Sequence, residues 1–166
     1  LKTNISYTIY TNLHTNTAYS SLAAQVTKIF PITLNTFIIP TIYGRFIFND
    51  GIPFMYSNVI GGEGYNPHYE QQIPFSGLTH TESTLKLLGN AQIQVRHKFH
   101  EKQYLTLSGN YAIHQNQFSN FLQGKKIYGT SIGYGYDSPL GPIEGFICYS
   151  NRTNKLGFYL NIGFGF

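Results

Sequence analysis

Apolar and polar side chains alternate with a period of two along most of the chain, in blocks of roughly ten residues broken by turn-forming positions, the pattern expected of membrane-barrel strands. The last block is the clearest. From Lys155 to Phe166 one face carries Leu156, Phe158, Leu160, Ile162, Phe164 and Phe166, and the other Gly157, Tyr159, Asn161, Gly163 and Gly165. Residues 126–137 set Tyr128, Thr130, Ile132, Tyr134 and Tyr136 against Gly129, Ser131, Gly133, Gly135 and Asp137. Residues 104–114 set Leu105, Leu107, Tyr111 and Ile113 against Thr106, Ser108, Asn110 and His114. Residues 90–99 set Ala91, Ile93, Val95 and Phe99 against Asn90, Gln92, Gln94, Arg96 and Lys98, and residues 142–150 set Ile143, Ile147 and Tyr149 against Glu144, Cys148 and Ser150. Residues 2–12 alternate around Ile5, Tyr7 and Ile9, 17–30 around Leu22, Ala24 and Val26, and 36–47 around Ile38, Ile42 and Phe46. Helix-period patterns are nearly absent. The prediction is an all-β chain of eight antiparallel strands forming a transmembrane β-barrel, with a bulge or bend at Pro40, which lacks a ladder donor.

Composition sharpens that picture. Only 11% of the residues are charged, against 17 Gly, 14 Tyr and 13 Phe among 166 residues. The polar face of each strand is Gly, Ser, Asn and Gln rather than Lys and Glu, which suits a wet, crowded lumen, leaving the apolar face to outer-membrane lipid. No apolar run is long enough for a transmembrane helix. Leu1–Asn12 is too polar for a signal peptide, so the targeting segment of an exported protein is expected outside this chain. The net charge is +4 and the pI near 9.1, but the basic residues are scattered and only Lys125 and Lys126 adjoin, so nucleic acid is not an expected partner. A single Cys148 permits no internal disulfide.

The connections alternate in length. Phe30–Asn35, His100–Lys102 and Ser138–Gly141 are short and share one end. Leu13–Asn16, the long 49–82 segment, Asn116–Gly124 and Asn151–Asn154 share the other, which on the usual barrel plan is extracellular. The long segment holds Asp50, Glu63, Glu70 and Glu82 and no Lys or Arg, whereas inward strand positions carry Arg45, Lys86, Arg96 and Lys98. An acidic loop folding back onto this basic lumen wall, where charges are poorly screened, is the first expectation. A solvated loop free of the wall is the second.

The run Val59, Ile60, Gly61, Gly62, Glu63, Gly64, Tyr65, followed by Pro74, Phe75, Ser76, Gly77 and Leu78, resembles the loop of the bacterial surface-antigen barrel superfamily, most closely its patatin-like phospholipase branch. Ser138 to Ile143 and Phe158 to Phe166 are similar to that superfamily's last hairpin. The resemblance implies a bacterial outer-membrane location and a sixteen-stranded barrel of which residues 1–166, a single domain, form the C-terminal half. It also implies that Phe164 and Phe166 are the terminal signal read by the outer-membrane assembly machinery, and that a lipid hydrolase domain precedes the barrel in the parent protein. Glu63 stands where assembly and transport members usually carry arginine, and the Pro74, Phe75, Gly77 run favours the patatin-like branch.

Candidate chemistry within the chain is sparse. Gly129, Thr130, Ser131, Ile132, Gly133 matches a nucleophile-elbow pattern, but an elbow needs a strand-to-helix turn, and here the alternation continues through Tyr134. His14, His68, His80, His97, His100 and His114 lack metal-ligand spacing, and neither metal nor cofactor is expected. Ser108 and His114 share a face but stand about 20 Å apart along a strand, so His114 is expected in a lumen hydrogen-bond network. The functional expectation is a membrane module that anchors or presents an upstream domain, without catalysis of its own. It is completed either by missing N-terminal strands or by a second copy. The alternative is a self-closed eight-stranded barrel acting as a small lipid-modifying enzyme or adhesion protein.

Overall fold

The computed structural model describes all residues except 13–16, 49–51, 54–55, 63–70, 79–80, 140 and 164–166. One antiparallel sheet dominates. Its path runs through β1 (Lys2–Asn12), β2 (Thr17–Thr27), β4 (Thr36–Ile47), β8 (Leu87–His100), β9 (Gln103–Gln115), β10 (Lys125–Ser138), β11 (Gly141–Ser150) and β12 (Lys155–Ile162). A ninth, short strand, β3 (Phe30–Thr33), pairs with β4 off this path. β1 and β12 are the two ends, and among the described residues they do not pair with each other, so the sheet is open. Three two-residue strands, β5 (Val59–Ile60), β6 (Gln72–Ile73) and β7 (Glu82–Ser83), form a separate small sheet in the order β6-β5-β7.

The period-two faces fall where the alternation puts them. In β10, Tyr128, Ile132 and Tyr134 are exposed while Ile127, Gly129, Ser131 and Gly133 are buried; in β9, Leu105, Leu107 and Tyr111 are exposed while Thr106, Asn110 and Ala112 are buried. Leu156, Phe158, Leu160 and Ile162 of β12 are all exposed. Because the strand repeat is two, the pairing of β8 through β12 gathers the exposed apolar side chains on one continuous outward wall. No helix among the described residues is long and apolar enough to cross a membrane.

Two local details differ from the sequence reading. The expected turn over Phe30–Asn35 contains β3, which narrows the turn to Leu34–Asn35. The expected disturbance at Pro40 falls on its neighbour: β4 stays in register with β8 through Pro40↔Ile93, but the flanking strand breaks at Lys28–Ile29, between β2 and β3. Pro40 offers that side a carbonyl and no N–H, and the Lys28 N–H still donates to Pro40 O at 3.2 Å. A second irregularity, a register shift, lies between Pro31 and Thr33.

Candidate functional site

The inward wall receives the long connection. Segment 56–62 and segment 71–78 come together through their own main chains before they meet the barrel. β5 and β6 pair in parallel, Gly61 N–H donates to Ile73 O at 3.0 Å, Phe75 N–H to Gly62 O at 3.0 Å, and Gly62 N–H to Leu78 O at 2.6 Å. Gln72 Nε2 donates to Gly61 O at 2.8 Å. Gly61 and Gly62 have φ of 127° and 79°, conformations an L side chain resists, so the double glycine permits this zipped neck.

The neck presents Ile60, Phe75 and Leu78 to the wall, where they join Tyr43, Leu88, Ala112 and Ile127 in a single buried cluster. Phe75 is 0% exposed. Burying a side chain of this size contributes about 1.5–3 kcal/mol, so these contacts supply a large share of the attachment of the described neck. Close approach needs glycine on both sides. A Cβ at Gly129 of β10 would collide with the Ser76 carbonyl, and one at Gly77 (φ 82°) would collide with the Tyr149 backbone of β11.

Wall polar groups then satisfy the loop's main chain. Asn110 makes a two-way contact, accepting from Ser76 N–H at 3.4 Å and donating to Pro74 O at 3.4 Å. Ser76 and Ser131 hydroxyls lie 3.2 Å apart. His114 Nδ1 accepts from Leu85 N–H at 3.2 Å, which places this histidine in the network expected of it. Arg45, 5% exposed, donates to Ser21 Oγ at 3.1 Å, Ser57 O at 3.2 Å and Tyr56 O at 3.4 Å. Asn58 donates to Leu85 O at 2.8 Å and Lys86 O at 2.9 Å, tying the start of the neck to its far end.

Toward the short-turn end lies a second polar cluster. Glu144 of β11 is fully buried, accepts from Tyr104 Oη at 2.8 Å and pairs with Arg96 at 3.3 Å. Arg96 also donates to Thr106 Oγ1 at 3.2 Å and lies 4.5 Å from the Tyr104 ring centroid. Asn161 of β12 reaches Glu144 at 3.5 Å, so side chains of β8, β9 and β12 converge on the carboxylate of β11. The desolvation cost of that carboxylate is offset only because each partner is in place. Inward glycines make the room: a Cβ at Gly133 would collide with the Phe146 ring, and one at Gly135 with the Tyr104 ring.

Of the residues singled out from sequence, Arg45 holds the start of the loop, and Arg96 belongs to the lower cluster. Lys98 is exposed beside Arg96 and Asp137. Lys86 lies just before β8, where its carbonyl accepts from Asn58. Pro74, Phe75, Gly77, Gly61 and Gly62 all lie in the docked neck. Asp50, Glu63, Gly64, Tyr65, Glu70, Phe164 and Phe166 lie outside the described residues. The fourth loop carboxylate, Glu82, does not reach the four basic wall residues. It pairs with Arg152 on the β11–β12 turn at 3.0 Å. Ser131 sits mid-strand in β10, without the sharp turn an elbow requires. Sequence reading named Ser76 and Asn110 without a contact between them, and passed over Tyr104 and the central role of Glu144. The one available signal was a lone carboxylate on an inward face otherwise built of small and neutral side chains.

Between the neck and the inward faces of β1, β2 and β4 remains a polar cavity of about 320 Å³, lined by Ser6, Thr8, Ser21, Gln25, Arg45 and Gln72, among others. Compared with known proteins, residues 2–166 match the family model described as the OMP85 superfamily. No curated protein and no solved structure matches.

Proposed function

The chain belongs to the OMP85 superfamily, and from that premise we propose that it is the C-terminal half of a sixteen-stranded barrel in a bacterial outer membrane, of the patatin-like kind. It anchors or presents an upstream domain and carries no catalysis of its own. The observation that carries this reading is the open sheet. Among the described residues β1 and β12 end the path with unpaired edges, which hydrocarbon cannot satisfy. The inward side chains Asn4 and Ser6 of β1 are exposed although they point into the lumen. Further strands, encoded upstream or supplied by a second copy, complete both the ladder and the cover. The two groups best suited to acyl transfer have structural work instead, Ser131 against Ser76 and His114 against Leu85.

The test is migration in detergent before and after heating, for the chain alone and for a form extended upstream of Leu1. The folded, heat-sensitive species is expected only with added strands or as a dimer; a compact monomer of the chain alone overturns the half-barrel. An upstream reading frame without a hydrolase-type domain overturns the patatin-like assignment.

A further inference from the structure

The β9–β10 connection folds back over the wall. Its 3₁₀ turn, Phe118–Gln123, lies against the outward face of β8 and β4. Phe121 packs so close to Gly89 that a Cβ there would come within 2.9 Å of the ring, and the Phe118 and Phe46 ring centroids are 4.5 Å apart. Beside Phe121 the outward wall opens into a recess of about 190 Å³, lined by Ile42, Gly89, Ala91, Tyr111, Ile113 and Phe121. Register explains the hollow. Ile113, Gly89 and Gly44 are cross-strand neighbours in one outward row, and Tyr111, Ala91 and Ile42 in the next, so small residues sit between large ones.

Lys126 heads the first of these rows, directly opposite Ile113, and is exposed. We propose that the recess holds an acyl chain of an anionic lipid whose phosphate is met by Lys126. This rests on the outer-membrane reading above, which makes the outward wall lipid-facing. The hollow is continuous with that wall and lined almost wholly by apolar atoms. It is smaller than the usual 300–1,000 Å³ of a small-molecule pocket, a size for a chain segment and not a headgroup. Lysine at the rim of such a site lays its methylenes along the apolar surface and holds its ammonium at phosphate level. Phe118 and Leu122, 65% and 76% exposed, flank the recess and place the turn in the interfacial zone, where such side chains gain from burial.

The sequence contains no tryptophan, so Phe121→Trp supplies a single reporter. The chain, as the dimer or joined to upstream strands freed of tryptophan, is assembled in phosphatidylcholine vesicles containing a minor share of phosphatidylglycerol, with bromine on the acyl chains of one lipid at a time. Quenching per brominated lipid is expected to favour phosphatidylglycerol roughly fivefold, the preference of about one lysine at an anionic surface. Adding Lys126→Glu, or Ala91→Phe to fill the hollow, is expected to abolish that preference. Equal quenching by both lipids, or a preference that survives both substitutions, overturns the site. A Leu107→Trp reporter on the open wall separates the two failures: quenched by both lipids alike, it leaves the outer-membrane reading intact, and quenched by neither, it overturns that reading and the lipid site with it.

Discussion

In β9, Thr106, Asn110 and Ala112 point inward and are buried beneath the docked loop or the side chains around Glu144, whereas in β1 Asn4 and Ser6 point the same way and stand exposed. Both strands alternate with the same period, and both pair in full register with a neighbour, β1 with β2 and β9 with β10. What separates them is what lies across the lumen. The centre of the sheet, β8 to β11, has the neck of the long connection seated on it. At the margins, among the described residues, the Tyr56 ring lies 4.4 Å from that of Tyr10 on β1 and 6.1 Å from that of Tyr19 on β2, and on β12 Asn161 reaches Glu144. Burial inside such a wall is therefore a property of the opposing surface and not of the strand's own sequence.

The comparison is tested most severely at the main-chain seat. Gly129→Val places a side chain where the Ser76 carbonyl sits and is expected to cost on the order of 4 kcal/mol and to free the loop for proteolysis. Gly109→Ala, whose new Cβ meets only Ile93 at 3.8 Å, is expected to change stability by less than about 0.5 kcal/mol in the same denaturant titration. Phe75→Ala should come next, at about 3 kcal/mol by loss of buried area and the cavity left behind. Ser6→Ala at the uncovered margin should be near neutral in this chain, and a cost comparable to that of Phe75→Ala would break the contrast. Glu144→Gln keeps the shape but removes the charge that faces Arg96, for about 2 kcal/mol, read as a lowered midpoint of unfolding. Smallest of all is Glu82→Gln, whose partner Arg152 is 57% exposed; less than about 1 kcal/mol, fading with added salt, is expected.

The strand faces were legible because a two-residue repeat leaves only one way to hide Gly129 and Ser131 while showing Tyr128 and Ile132. The ends of strands were less so. Pro40 announced a disturbance, but its effect lies on the opposite side of a hydrogen-bonded pair, at Lys28–Ile29, which no local pattern marks. The site was legible only in part. Gly61, Gly62, Phe75 and Gly77 stood out as a motif, yet their partners are distant in sequence: Ser76 meets Ser131 across 55 positions and Asn110 across 34. Of the four loop acids only Glu82 lies among the described residues, and it turns to Arg152, while the described neck is held by apolar burial, amide contacts and the Arg45 guanidinium.

The zipped neck has an architectural consequence. Because residues 59–62 and 71–78 are fastened to each other by main-chain bonds, the two limbs seat on the wall as one part, and a break in either loosens the hold of both. A side chain at Gly61 or Gly62, whose φ values an L residue resists, would unseat the Phe75 anchor without touching it.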